Sequence, residues 1–214
     1  MNTANKPHYF IKEHSIAIAF SFALLLIRYL KTDSFFYLFL VWNLFLACIP
    51  YLISIIATFK KGNRFIFWSC FIIWLLFLPN SPYILTDFQH IRTSTISSIW
   101  FDVLLILSFA INGLLIGFSS LHIMQSMMNE RFSKKVTNYM IYIVLLLCGF
   151  GIYLGRVLRW NSWDILQDPI GLLSDIAKRI LFPTQHIETW VFTLGFGTFL
   201  ILTYQRLYAL KKSI

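Results

Sequence analysis

The sequence predicts an all-α membrane protein with about six transmembrane helices, and three observations lead to that fold class. Hydrophobic residues make up 58% of the 214 residues, whereas charged residues make up only 13%. The mean hydropathy is +0.70, and this composition lies outside the range of soluble domains. Apolar runs long enough to cross a bilayer core of about 30 Å recur along the whole chain, which indicates one integral membrane domain over residues 1–214. The predicted spans are residues 15–30, 35–59, 63–78, 99–121, 138–155 and 189–208.

The third predicted span ends in two prolines, and this feature predicts a broken helix. Pro79 and Pro82 have no backbone N–H to donate, so neither fits inside a continuous α-helix. Asn80 and Ser81, between the prolines, are residue types that cap helix ends. We therefore expect a break from Pro79 to Ser81, followed by a short helix from Pro82 to about His90.

The fourth and fifth spans each carry two glycines four residues apart. Small residues at this spacing let membrane helices pack closely. Such packing is expected to bring Asp102 and Arg156, near the ends of these spans, towards each other. In the fourth span Asn112 is expected to hydrogen-bond a neighbouring helix. The glycines are Gly113 and Gly117 in the fourth span, and Gly151 and Gly155 in the fifth.

The segment after the fifth span predicts an amphipathic helix on the outer membrane surface. Asn161 can cap a first helix, with Asp164 three residues on as its reciprocal acceptor. Asp168 and Pro169 then open a second helix, which Pro183 closes. Apolar and polar residues separate on this second helix, as in helices that lie at a bilayer interface. The apolar positions are Ile170, Leu173, Ile176, Ala177, Ile180 and Leu181, and the polar ones are Ser174, Asp175, Lys178 and Arg179.

The distribution of charge predicts the orientation of the chain. Eleven of the 18 Lys and Arg residues lie on the side that carries both termini, and seven of the nine Asp and Glu residues lie on the other side. Because Lys and Arg are retained on the cytoplasmic side, both termini should be cytoplasmic. The formal net charge of +9 is then explained by topology and by contact with anionic lipid. No nucleic-acid-binding motif occurs, so nucleic acid is not an expected partner.

Four residues on the outer side are candidates for acid–base chemistry. Asp87 and His90 are three residues apart on a predicted helix, so their side chains share a face. Together with Asp102 and Asp164 they could transfer protons as general acid and base. The same groups could hold a divalent metal ion, but two residues at this spacing indicate a metal site only weakly, and we assign none.

A second group of outer polar residues is a candidate for substrate binding. Arg156 and Arg159 lie about one helical turn apart and would present two guanidinium groups to a phosphate or carboxylate. Asn161 and, from the break in the third span, Asn80 would add hydrogen bonds. The alternative is that the arginines pair with the outer aspartates in a structural ion network, which the equal numbers of basic and acidic residues on this side also favour.

Several runs of residues resemble a known family. They are Leu78-Pro79-Asn80-x-Pro82-Tyr83 with Thr86-Asp87, Trp100-x-Asp102, Gly151-Ile152-Tyr153-Leu154-Gly155-Arg156, and Arg159-Trp160-Asn161-Ser162-Trp163-Asp164. Together they resemble the family called domain of unknown function 1361, whose members are predicted bacterial multi-span membrane proteins. The resemblance covers residues 72–175. It implies that the two outer motifs belong together, and it implies no substrate.

Two functional hypotheses follow. In the first, the protein binds or processes a phosphorylated or anionic amphiphile at the outer face of a bacterial plasma membrane. In the second, it is a non-catalytic scaffold or transporter subunit whose outer polar residues form a structural ion network. Membrane lipid is the expected partner in both, and the sequence identifies neither a cofactor nor a protein partner.

Overall fold

Six helices long and apolar enough to cross a membrane dominate the computed structural model, which describes residues 6–59, 63–93 and 99–212. No strand occurs in this described part of the chain, so the all-α, six-span prediction is confirmed. Five of the six candidate spans are longer than the apolar runs alone predict, because their helices continue beyond the apolar region, and the second, Phe36–Phe59, is one residue shorter. The helices are α1 Lys6–Thr32, α2 Phe39–Phe59, α3 Arg64–Phe77, α4 Asn80–Tyr83, α5 Ile99–Asn129, α6 Lys134–Arg156, α7 Asp164–Gln167, α8 Pro169–Leu181 and α9 Ile187–Lys212.

The fourth span, α5, is the centre of the bundle. Half of its most apolar stretch is buried inside the protein, compared with 11% for α1, which therefore lies at the periphery. One apolar core is built around Trp74 by α3, α5, α6 and α9. A second core, around Phe109, joins α1 and α2 to the other side of α5.

The third span is broken, as predicted, but the break begins earlier and the chain continues differently. Helix α3 ends at Phe77, and one α-helical turn, α4, is followed by a 3₁₀ helix, Ile84–Thr93. The prolines explain this course, because Ser81 N–H bonds the carbonyl of Leu78, only three residues back (3.1 Å). The Asn80 side chain donates to the carbonyl of Phe77 (2.9 Å), which α3 leaves without a helical partner.

The four glycines allow close packing, but their partner is the broken third span. A Cβ atom at Gly113 would lie 2.7 Å from the carbonyl oxygen of Ser81, and one at Gly117 would lie 2.5 Å from Ser81 Cβ. On the other side, a Cβ at Gly151 would lie 2.6 Å from Pro79 Cγ. The segment with the two prolines thus sits between α5 and α6. The glycines therefore do not pack α5 directly against α6, and Asp102 and Arg156 form ion pairs with Arg28 and Asp87 rather than with each other.

Hydroxyl groups tie α2 to this inserted segment. Pro50 lies inside α2, where a proline disturbs the regular helical hydrogen bonds. Ser81 Oγ donates to the carbonyl of Ala47 (3.0 Å), and Ser120 Oγ donates to the carbonyl of Pro50 (2.9 Å). Trp74 Nε1 donates in turn to Ser120 Oγ (2.5 Å). These buried bonds join α2, α3, α4 and α5 into one unit.

Asn112 joins the peripheral helix α1 to α5. Its Nδ2 donates to the carbonyl of Ala17 (3.0 Å) and to Ser21 Oγ (2.9 Å), both on α1. The predicted hydrogen bond between helices is therefore confirmed.

Candidate functional site

Charged side chains from four spans meet at one end of the bundle, which we call the polar end. It is the end at which α1, the third span and α6 finish and at which α5 begins. There Arg156 pairs with Asp87, and Arg28 pairs with Asp102. The side chains of Asp87 and Asp102 are 1% and 0% exposed. The carboxylates are thus closed to solvent and need the arginines as counter-ions.

Both carboxylate oxygens of Asp87 are engaged by donors from other helices. Arg156 Nη2 donates to Oδ1, and Asn43 Nδ2, from α2, donates to Oδ2 at 2.8 Å. Arg156 also donates through Nε to Thr86 Oγ1 (2.7 Å), and its guanidinium carbon lies 4.2 Å from the centre of the Tyr83 ring. One arginine at the end of α6 thereby holds the 3₁₀ end of the third span through three different contacts.

The second ion pair joins α1 to the first turn of α5. Arg28 Nε donates to Asp102 Oδ1 (2.5 Å), and Nη2 donates to Oδ2 (3.1 Å), so the contact is bidentate. The sequence indicated Asp102 as a candidate residue but did not indicate its partner, Arg28. Arg28 could have been predicted because it is a charged residue at the end of an apolar run. A charge buried in such a position needs an opposite charge beside it.

His90 lies among aromatic rings at the same end. Its ring centre is 4.8 Å from that of Phe39 and 6.0 Å from that of Phe36, and its Nε2 lies 3.5 Å from Gln89 Nε2. Asp87, three residues earlier, stands in register with it because 3₁₀ helices superimpose such positions. Among the described residues, no group of three or more His, Cys, Asp or Glu side chains could hold a metal ion.

The loop after α6 is fastened to the break in the third span. Asn80 Nδ2 donates to Ser162 Oγ (3.0 Å), and Ser162 Oγ donates to the carbonyl of Leu76 (3.2 Å). The two sequence motifs that the family resemblance placed together are thus in direct contact. The Asn80 side-chain amide thus donates two hydrogen bonds within the protein, one to the carbonyl of Phe77 and one to Ser162 Oγ.

Asn161 and Asp164 form a local turn instead of the predicted cap. Asp164 Oδ2 accepts from the backbone N–H of Asn161 (2.6 Å) and from Asn161 Nδ2 (3.2 Å). The Asn161 side chain is therefore occupied by Asp164, and no side chain caps the single turn of α7. Half of the expected reciprocal arrangement is present. Asp164 accepts from the backbone N–H of Asn161, whereas the Asn161 side chain does not cap the following helix.

Arg159 differs from all these residues because, within the described part of the chain, its side chain makes no hydrogen bond or ion pair. It is exposed, and its φ angle of 64° places its backbone in the left-handed region. The prediction of two guanidinium groups one helical turn apart is wrong, because α6 ends at Arg156. The N–H of Trp160 instead bonds back to the carbonyl of Leu154 (3.0 Å), which turns the chain at Arg159.

Glycine at position 159 would adopt this backbone conformation without steric cost, so its effect on stability tests the conformation. Arg159→Gly is expected to be more stable than Arg159→Gln by about 1 kcal/mol, because a side chain at positive φ costs about that much and glycine does not incur it. Both variants lack the guanidinium, so the comparison isolates the backbone. Melting temperatures in detergent measure the difference, and equal values would contradict the assigned conformation.

A family model matches residues 42–203, about three quarters of the chain, and its description is "protein of unknown function (DUF1361)". The chain belongs to the DUF1361 family. The resemblance expected from the sequence is confirmed. The matched region contains Asp87, Asp102 and Arg156 but not α1, so Arg28 lies outside the part that the family model covers. Comparisons with curated proteins and with solved structures give no match.

Proposed function

We propose that this DUF1361 protein is a non-catalytic membrane module whose polar end is a rigid scaffold, in the cytoplasmic membrane of a bacterium. The observation that carries the proposal is the engagement of Asp87, whose two oxygens accept from Arg156 and Asn43 while the side chain is 1% exposed. A general acid or base must reach the substrate proton within hydrogen-bonding distance. Asp87 is instead directed at donors of the protein itself.

The other candidate groups support the same proposal. Asp102 is held by a bidentate arginine, Asn80 bonds both the break and the following loop, and Asp164 closes a local turn. The contacts of Asp102 and Asn80 join separate segments of the chain, and the contact of Asp164 fixes the shape of the loop after α6. Together they hold the loops of the polar end in one shape, which is what a scaffold for a partner or a transporter subunit requires.

A second candidate function is the binding of an anionic amphiphile, and Arg159 favours it. Within the described part of the chain, no hydrogen bond or ion pair engages its side chain, which is exposed at the level of the loop after α6. An exposed guanidinium at a membrane boundary suits a lipid phosphate. In this candidate Arg156 only shapes the loop, and Arg159 makes the contact.

Lipid-dependent stability separates the two candidates. A ligand that binds only the folded state raises the melting temperature, and the rise is larger when the ligand binds more tightly. The scaffold proposal expects any difference between added phosphatidylglycerol and phosphatidylcholine to be the same in the wild type and in Arg159→Gln. A phosphatidylglycerol-specific rise in the wild type that disappears in Arg159→Gln would overturn it in favour of the amphiphile site.

The orientation is also part of the proposal, with both termini in the cytoplasm and the polar end outward. Its support is the excess of Lys and Arg at the end opposite the polar end. Fusion to the carboxyl terminus tests it. A green fluorescent protein fused there should fluoresce, and a fused alkaline phosphatase should be inactive, whereas the reverse result would invert the orientation.

A further inference from the structure

Helix α8 exposes its apolar side chains, which is the reverse of a helix on the surface of a soluble protein. Ile170, Leu173, Ile180 and Leu181 are 81%, 60%, 57% and 69% exposed. At about 100° per residue, these side chains cover one continuous arc of about 100° around the helix axis. Ala177 lies within the arc and is also exposed. The apolar side of α8 thus faces away from the protein.

The charged side of α8 faces the protein. Arg179 is 7% exposed, donates through Nη1 to the carbonyl of Asp175 (2.7 Å), and lies 5.9 Å from the centre of the Tyr153 ring on α6. Asp175 Oδ2 accepts from Trp160 Nε1 (2.9 Å). Trp190 Nε1, on α9, donates to the carbonyl of Arg179 (3.2 Å). The predicted helix is confirmed, and it is bonded to the bundle through the Asp175 carboxylate and the Arg179 carbonyl, which accept from Trp160 and Trp190.

The position of α8 in the chain restricts what can cover its apolar side. It lies between the end of α6 and the span that begins at Pro183, so both of its ends are held at the membrane boundary. Its 13 residues extend about 20 Å, too short to cross a bilayer core of about 30 Å. On the candidate span that follows, Ile187, Val191 and Leu194 are also exposed, as expected for side chains that face lipid.

We propose that α8 lies in the plane of the membrane, with its apolar arc immersed in the acyl chains of the leaflet at the polar end. Ser174 and Lys178 are exposed at the edge of the arc and lie at the level of the phosphates. A lysine in that position contacts lipid phosphate while its methylene groups stay in the apolar layer. The leaflet is thus a binding partner of α8, and Asp175 and Arg179 connect that contact to α6 and α9.

Site-directed spin labelling of the full-length protein in phospholipid nanodiscs tests this placement. The labels replace Leu173 or Ile180 on the arc and Ser174 or Lys178 at its edge. They are introduced as Leu173→Cys and corresponding variants, in a background in which Cys48, Cys70 and Cys148 are replaced by Ala. The expected result is that power saturation shows more contact with dissolved oxygen than with a water-soluble nickel chelate at the two arc positions, and the opposite at Lys178.

Two outcomes would overturn the proposal. Preferential contact with the nickel chelate at both arc positions would place the arc in water. Low accessibility to both reagents, with dipolar broadening between labels, would show that a second copy of the chain covers it. If replacement of the cysteines prevents folding, the unmodified protein can be labelled with a lipophilic photoactivated carbene, which should modify the peptide containing Leu173 and Ile180. Absence of that modification would equally reject the proposal.

Discussion

Replacing Arg156 with Gln is expected to lower the free energy of unfolding by about 3–5 kcal/mol, because the Asp87 carboxylate would remain buried without its counter-ion. Of the described residues, Asn43 would still donate to that carboxylate. The substitution also removes the bond to Thr86 and the contact with the Tyr83 ring. Equilibrium unfolding in mixed detergent measures the loss.

Variants at the same position separate the charge from the shape of the guanidinium. Arg156→Lys should recover part of the lost stability, because lysine keeps the charge but cannot reach Thr86 and Asp87 with a planar fork. Asp87→Asn combined with Arg156→Gln should cost less than the sum of the two single changes, with a coupling of about 0.5–3 kcal/mol. Arg159→Gln is the matched control and should leave stability unchanged, since its side chain is exposed.

The scaffold proposal depends on this result. If Arg156→Gln melts at the wild-type temperature, the pair is not needed to hold the polar end together. Asp87 and Arg156 would then be candidates for ligand binding, because residues that serve a function are often neutral or unfavourable for stability.

The second large effect is expected at Gly117. In Gly117→Ala the new Cβ would lie 2.5 Å from Ser81 Cβ, which belongs to the rigid segment between two prolines. Overpacking of this kind costs about 1–3 kcal/mol. The opposing gain, the higher helix propensity of alanine, is about 1 kcal/mol at most. The steric cost should win, and melting temperatures in detergent should fall.

The chain supplies a control for the glycine effect. A Cβ at Gly195 on α9 would meet nothing within 4 Å, so Gly195→Ala should be neutral or slightly stabilising. Ser81→Gly removes the colliding Cβ together with the bond to Ala47, so Gly117→Ala should cost less in a Ser81→Gly background than in the wild type. Equal melting temperatures for Gly117→Ala and Gly195→Ala would contradict the close packing of α4 against α5.

The elements of the fold were predictable because hydrophobicity is a local property of the chain. Six apolar runs indicated six spans, and two prolines indicated the broken third span. Asp168 and Pro169 likewise marked the start of α8, where the Asp168 side chain accepts from the N–H of Gly171 (2.9 Å). The grouping of the polar residues at one end followed from counting spans. Each span crosses the membrane once, so the ends of the first, third and fifth spans and the starts of the second, fourth and sixth lie on the same side.

The sequence by itself therefore determined the number of spans, the family and the end at which the polar residues gather. Only the tertiary structure decided their partners: Asp102 pairs with Arg28 rather than Arg156, and the glycines of α5 and α6 pack against the segment around Ser81. It also decided that the Arg159 side chain is exposed while that of Arg156 donates to Asp87. The physical reason is that pairing depends on the rotation and depth of each helix. These are set by packing against every neighbouring helix at once, whereas spacing along the chain records only the periodicity of one helix.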